Sequence, residues 1–250
     1  ISLDLVNLSM NNAAQQQPVG EGRFDAKFWQ LEAFEHPGQQ YYYCTPAFVE
    51  ADGTATIGDD FLISGSEERV LDQKLISRNI HATIRLVAGF LHDSKLKGEE
   101  AKVVMPLNAK AVSVESVASE FADGCREFLA DVNGQIIFEM MNLPPKFTID
   151  YLDHLGILVF PFCQEYIARP SPAWTDFTIF ANCNFQGVSF DLKNKAWPPD
   201  KIQPHLEKFC QSANLNRLTP YLLGAASSDI QGLANELGFK FVAGKAVDET

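Results

Sequence analysis

The sequence has no excess of basic residues, no long apolar run and no paired cysteines, and each absence removes a class of function. Against 32 Asp and Glu stand only 20 Lys and Arg, a formal net charge of −12. Such a chain carries a potential that repels polyanions, which argues against nucleic acid and against an anionic membrane as partners. The one loose basic cluster, Lys193, Lys195 and Lys201, has the pattern of a solvated face. No apolar stretch approaches the roughly 18 residues of a membrane span, and the N-terminus lacks the basic-then-apolar order of a signal peptide. A soluble, cytoplasmic chain is expected, and the absence of a starting Met leaves room for an upstream anchor or sensor. The five cysteines, Cys44, Cys125, Cys163, Cys183 and Cys210, form no CxxC pair. They are expected to be reduced thiols that act as small buried hydrophobes.

The common chemical signatures are also absent. GxGxxG, Walker A, HExxH, GxSxG and zinc-ligand spacings do not occur, so dinucleotide, nucleotide-triphosphate, metalloprotease and serine-hydrolase chemistry have no support. The histidines His36, His81, His92, His154 and His205 are isolated from one another. They are expected at surface or capping positions rather than as ligands.

What is present is an ordinary globular composition, 46% hydrophobic and 21% charged over 250 residues. The polar stretch Asn11–Gly22 has no apolar period and marks residues 1–40 as an N-terminal arm and linker. From Tyr41 onward, short apolar runs predict strands at Tyr41–Glu50, Thr54–Ile63, Lys102–Leu107, Gln135–Met141, Ile157–Phe162, Gly187–Leu192, Leu218–Leu223 and Phe239–Ala243. Helical period fills the intervals, as over Glu68–Leu91 and Val114–Leu129. Ala51-Asp52-Gly53 signals a hairpin between the first two strands. One hairpin followed by repeated β-α units predicts an α/β fold over residues 41–250, a (β/α) barrel of the TIM type rather than an open sheet. Any site is then expected on the loops that leave the strand C-termini.

The order of elements from Tyr41 to Gly244 resembles the EAL domain, the bacterial cyclic-di-GMP phosphodiesterase barrel, which begins with an antiparallel hairpin and closes as a modified TIM barrel. The segments that carry the resemblance are TPAFVEADGTATIGDDFL, VLDQKLISRNIHATIR, VVMPLNAKAV, IIFEMM, VSFDLKN and DIQGLANELGFKFVAGK. Active members resemble one another in holding two divalent cations with carboxylates and an Asn amide oxygen, which activate water against a phosphodiester with help from a Lys. On that resemblance the signature Glu falls at Asp60, followed by Leu62, and the phosphate-holding Arg becomes Ser64. The metal-binding Asn is kept as Asn108, and Glu139 matches an acidic residue of the fourth strand, with Asn142 where a ligand Glu would follow. The tandem Asp pair falls at Phe160 and Pro161, within VFPFCQE. The catalytic Lys becomes Ser189, a later Glu becomes Gly224, and the closing Gln-Gly pair becomes Ala243-Gly244.

A hard cation needs oxygen ligands to replace its lost water, so this set implies a degenerate EAL domain without hydrolysis, metal or other cofactor. Degenerate members resemble this chain in serving as regulators or scaffolds, some of them in flagellar or polar assembly. A protein partner is therefore expected, with Phe160, Pro161 and Phe162 as contact candidates at an apolar barrel mouth. Asp60, Leu62, Asn108 and Glu139 would form a vestigial pocket. A second reading is a cyclic-di-GMP receptor that does not hydrolyse, against which the loss of Arg at Ser64 weighs, because Arg to phosphate is a strong charge-assisted pair. A third is an unrelated barrel enzyme that uses Asp60, Glu139 and Asp191 as an acid/base set. Asn108 has its own local alternative, capping the segment that follows it. EAL domains resemble one another in forming homodimers through barrel-edge helices and the loop after the tandem Asp strand; here that loop is rewritten as CQEYIARPSPAW, which weighs against a homodimer of the family type.

Overall fold

A computed structural model of the chain describes residues 22–34, 39–58 and 73–245. Nine strands run in the order β1 (Gly22–Ala33), β2 (Gln40–Glu50), β3 (Ala55–Ile57), β4 (Ala101–Asn108), β5 (Ile136–Met141), β6 (Glu165–Ala168), β7 (Gly187–Asp191), β8 (Thr219–Leu223) and β9 (Phe241–Ala243). The longer helices are α1 (Gln73–Leu96), α3 (Glu115–Phe128), α4 (Ile149–Val159), α6 (Pro199–Leu215) and α7 (Ser228–Leu237); α2 (Ala109–Val112) and α5 (Thr178–Asn182) are short. Strand pairing passes from β1 through β9, β8, β7, β6, β5 and β4 to β2, and β2 returns to β1, which closes a barrel of eight strands. β1 is antiparallel to both β2 and β9, the other six contacts are parallel, and β3 lies outside the ring on β2. The expected barrel and its opening hairpin are therefore present.

Which hairpin opens the barrel differs from the expectation. The Ala51-Asp52-Gly53 turn does join β2 to β3, with Gly53 at φ +87° and Asp52 Oδ1 accepting from the Thr54 amide at 2.8 Å. The barrel itself is closed by β1, which pairs with β2 from Gly22↔Glu50 to Leu31↔Tyr41. The boundary drawn after residue 40 is corrected on this point: Gly22–Ala33 is a barrel strand, not part of an arm. The signal was the two-residue alternation within FDAKFWQLEA. Ala26 and Phe28 face the helices, while Trp29, Leu31 and Ala33 face the lumen.

The same alternation divides the whole core into two layers. Outward-facing Val103, Met105, Phe138, Met140, Val188, Leu222 and Val242 meet the helices. Inward-facing Tyr41, Tyr43, Val104, Ile137, Ile167, Tyr221 and Phe241 fill the lumen. Phe28 of β1 stacks on Phe90 of α1 with ring centroids 4.1 Å apart, so the first strand and first helix lock together across the outer layer.

The expected strand at Ile157–Phe162 is also corrected. Those residues are the end of α4 and a single 3-10 turn, Phe160–Phe162. Thr148 caps α4 by accepting from the Tyr151 amide at 3.2 Å, and Leu152, Leu155, Gly156 and Val159 form its buried stripe at helical spacing. A short apolar run cannot choose between helix and strand by itself, and here the period begins earlier, in the polar-flanked residues from Ile149. Besides β1, the sequence reading omitted β6, four residues long with Glu165 at its start. Among the described residues no helix is long and apolar enough to cross a membrane.

Candidate functional site

The C-termini of the parallel strands, Asn108, Met141, Ala168, Asp191, Leu223 and Ala243, meet at one end of the barrel, where sites on this architecture form. Glu139, the inward residue near the end of β5, is fully buried. It lies beside Arg169, the first residue after β6, whose amide extends the ladder by bonding to the Met140 carbonyl at 2.9 Å. Arg169 Nε donates to Glu139 Oε1 at 3.0 Å and Nη2 donates to Oε2 at 2.5 Å, a bidentate pair. Its Nη1 donates to Asp191 Oδ2 at 3.1 Å, so one guanidinium joins the ends of β5, β6 and β7.

Two hydroxyls complete the Glu139 environment. Tyr43 of β2 donates to Oε2 at 2.8 Å and itself accepts from Arg169 Nη2, and Ser189 of β7 donates to Oε1. A carboxylate offers about four lone-pair sites. Two donors on each oxygen of Glu139 therefore use them all. Asp191 is similarly committed, because its Oδ1 accepts from the Lys193 amide at 2.7 Å. Gly224, with φ +69°, makes room for this turn: a Cβ there would sit 2.7 Å from the Lys193 amide and 3.1 Å from Asp191 Oδ1.

Asn108 is fully buried at the end of β4, but its Oδ1 turns to the local backbone. It accepts from the Ala111 amide at 3.1 Å, which caps α2, and from Asn142 Nδ2 at 3.3 Å. The capping alternative raised by the sequence is the one that the geometry adopts. Asn142 takes φ +56°, a left-handed conformation that Asn tolerates, and so ties the β4 and β5 ends together.

These partners bear on whether the described part of the site fits the divalent cations that the resemblance implied, because they already take up its oxygen atoms. Among the described residues no group of three or more His, Cys, Asp or Glu side chains is placed to hold a metal ion. The two carboxylates near the mouth are bound to a guanidinium, and the Asn amide oxygen caps a helix. Asp60, Leu62 and Ser64 lie outside the described residues.

The sequence reading brought Glu139, Ser189 and Asp191 to the strand ends, and the structure joins all three around Arg169. It missed Arg169 and Tyr43. Arg169 escaped because the tandem Asp position was assigned to Phe160 and Pro161. The strand beside β5 is β6, in register Met140↔Ala168, so the strand-end pair is Arg169-Pro170. Phe160, Pro161 and Phe162 precede β6 and lie toward the opposite end of the barrel, which corrects their placement at an apolar mouth. Phe160 is 71% exposed, whereas Phe162 is half-buried with its ring edge toward Phe121. Nor do Glu139 and Asp191 converge on an open pocket as an acid/base pair; they converge on the same cation.

The fold is that of the EAL domains. Similar solved structures include the FimX EAL domain of Pseudomonas aeruginosa bound to c-di-GMP, with a TM-score of 0.64, 9% identity and coverage of 88% of each chain. The EAL enzyme Bd1971, in a form bound to cAMP and cyclic-di-GMP, superimposes with a TM-score of 0.68 at 10% identity over 90% of this chain and 61% of its own. The Bacillus subtilis YkuI protein, which has an EAL domain and was solved with c-di-GMP and calcium, gives 0.66 at 13% identity over 88% of this chain and 53% of its own. No family model matches the sequence, and no curated protein matches it.

Proposed function

We propose that this chain is a non-hydrolysing EAL-type barrel that serves bacterial cyclic-dinucleotide signalling as a regulatory or scaffolding module, acting through contact with a protein partner. The observation that carries the reading is the Arg169 guanidinium lodged between Glu139 and Asp191 at the strand ends. A fixed monovalent cation satisfies the carboxylates without offering an exchangeable water. Metal-assisted attack on a phosphodiester requires that water, since the ion's role is to lower its pKa and deliver it as hydroxide.

A tethered cation also needs no ion recruitment, so the Glu139–Arg169–Asp191 cluster keeps its charge balance whatever the free Mg²⁺ concentration. The function then resides on the surface. Ile157 and Phe160, on the outer side of α4 and its terminal turn, are 74% and 71% exposed. Phe160 and the neighbouring Pro161 are contact candidates carried over from the sequence, and the exposure of Ile157 adds it to them. Solvent-exposed large apolar side chains at helical spacing suit a protein contact better than a nucleotide.

The test is incubation of the full chain with cyclic-di-GMP and Mg²⁺ or Mn²⁺, followed by chromatographic separation of cyclic from linear dinucleotide. The proposal expects no linear product above the protein-free control. Turnover that is abolished by Glu139→Gln would refute it. Calorimetric titration with the same ligand separates the second reading: tight binding without turnover would make the chain a cyclic-di-GMP receptor rather than a protein-contact module.

A further inference from the structure

The opposite end of the barrel holds a second feature, independent of the mouth and of the function proposed for it. A cavity of about 340 Å³ opens between the N-terminal ends of the strands, a size at the lower end of small-molecule sites. Its inner wall is a row of three rings: Tyr41 packs against Phe241 at 4.7 Å, and Phe241 stacks on Tyr221 at 4.5 Å.

Tyr221 is 1% exposed and its hydroxyl has no hydrogen-bond partner among the described residues. Buried hydroxyls ordinarily have one, because leaving the group unpaired away from water is unfavourable. Burial pushes the Tyr221 hydroxyl well above its ordinary pKa, so it is available only as the neutral donor.

Charge at the rim selects the ligand. Arg217 and Lys240 line the cavity, and Lys102 approaches it through Glu165, which lies 4.0 Å away. The opposing groups are the Glu165 carboxylate and the neutral Asn214 amide. Two lining cations therefore face one lining anion, which Lys102 pairs from outside the cavity wall, on a chain whose net charge is −12. The lining pair, Arg217 and Lys240, comes from the turns before β8 and β9, so no run of basic residues marks it in the sequence.

We propose that this cavity is a binding site for a small organic anion, a flat ring bearing a carboxylate or phosphate, whose ring lies along Tyr41 and Phe241 and whose acceptor oxygen takes the Tyr221 hydroxyl. The cations at Lys240 and Arg217 hold the anionic oxygens, and the aromatic row excludes water from the face of the ring.

The experiment is calorimetric titration of the full chain with benzoate and with phenyl phosphate, using inorganic phosphate and benzyl alcohol as controls. Tyr221→Phe and Lys240→Gln are titrated in parallel. Expected is binding of at least one ring anion, weaker binding of both controls, and an affinity loss of about tenfold in each variant. Preference for benzoate or for phenyl phosphate assigns the anionic group. The thermal midpoint of unliganded Tyr221→Phe should be unchanged or raised, because the hydroxyl it removes has no partner among the described residues. Absence of binding by both ring anions overturns the proposal, as does binding that neither variant weakens. A lowered midpoint in Tyr221→Phe also overturns it, since the hydroxyl would then already be satisfied.

Discussion

Removing the Arg169 guanidinium is the perturbation that the structure makes most quantitative. In Arg169→Met the side-chain volume is largely kept, but Glu139 remains fully buried with its two nitrogen donors gone and only the hydroxyls of Tyr43 and Ser189 left. Breaking a buried pair from one side typically costs about 3–5 kcal/mol, because the surviving charge is stranded in low dielectric. The Arg169 side chain is 13% exposed, so some water reaches the stranded carboxylate and the lower end of that range is expected. For a domain of this size each kcal/mol moves the midpoint by about 2–4 °C, which gives a fall of roughly 6–12 °C in a thermal scan.

Combining the change with Glu139→Gln removes the stranded charge and keeps an amide oxygen for the hydroxyl donors. The double variant should recover most of the loss, with a coupling energy near 2–3 kcal/mol in a double-mutant cycle. The assay is chemical denaturation of the four proteins at one pH, followed by circular dichroism. Arg169→Met within experimental error of the parent, or additive single effects, would refute the reasoning by showing that the guanidinium does not neutralise Glu139.

Further predictions concern the rest of the barrel. Burial pushes the Cys163 thiol up to about 12 and the Cys183 thiol up to about 11. Both raised values mean that the thiolate is scarce at pH 8 and grows only as the pH climbs toward them. A colorimetric thiol reagent at pH 8 should therefore modify the folded protein slowly and the unfolded protein at once; rapid stoichiometric labelling of either residue in the folded protein would contradict this. Gly156→Ala places a Cβ 2.9 Å from the Tyr166 hydroxyl, itself bonded to the Cys183 carbonyl, so an overpacking loss of about 1–3 kcal/mol is expected in denaturation. Phe138→Ala, at a fully buried position against Phe121, should cost about 3–5 kcal/mol, whereas the exposed Phe160→Ser should leave the midpoint within about half a kcal/mol of the parent.

The barrel was legible in the sequence because most of its strands are short apolar runs with alternating faces, bounded by turn residues. Two strands were not. β1 lies beside a polar stretch and carries Arg23, Asp25, Lys27, Gln30 and Glu32 among its apolar residues, so its two-residue alternation competes with a hydrophilic composition. β6 has four residues, too few for any period, and follows a helix whose apolar end mimics a strand. That single exchange moved the strand-end position from Arg169 to Phe160.

The consequences for the site follow from the same shift. Glu139, Ser189 and Asp191 could be placed because β5 and β7 were located correctly. The group that unites them could not be found, because an isolated Arg before a Pro has no signature until the register Met140↔Ala168 brings it beside Glu139. Asn108 was located correctly, and its fate was set by local chemistry: an Asn at a strand end followed by Ala109–Val112 is an N-cap before it is anything else.

The most direct measurement is a Mn²⁺ titration of the full chain followed by electron paramagnetic resonance, with and without cyclic-di-GMP. The account predicts that all Mn²⁺ remains free, because Arg169 holds the carboxylates that the ion would need. One equivalent of bound Mn²⁺ in the parent protein, released by Glu139→Gln, would contradict it.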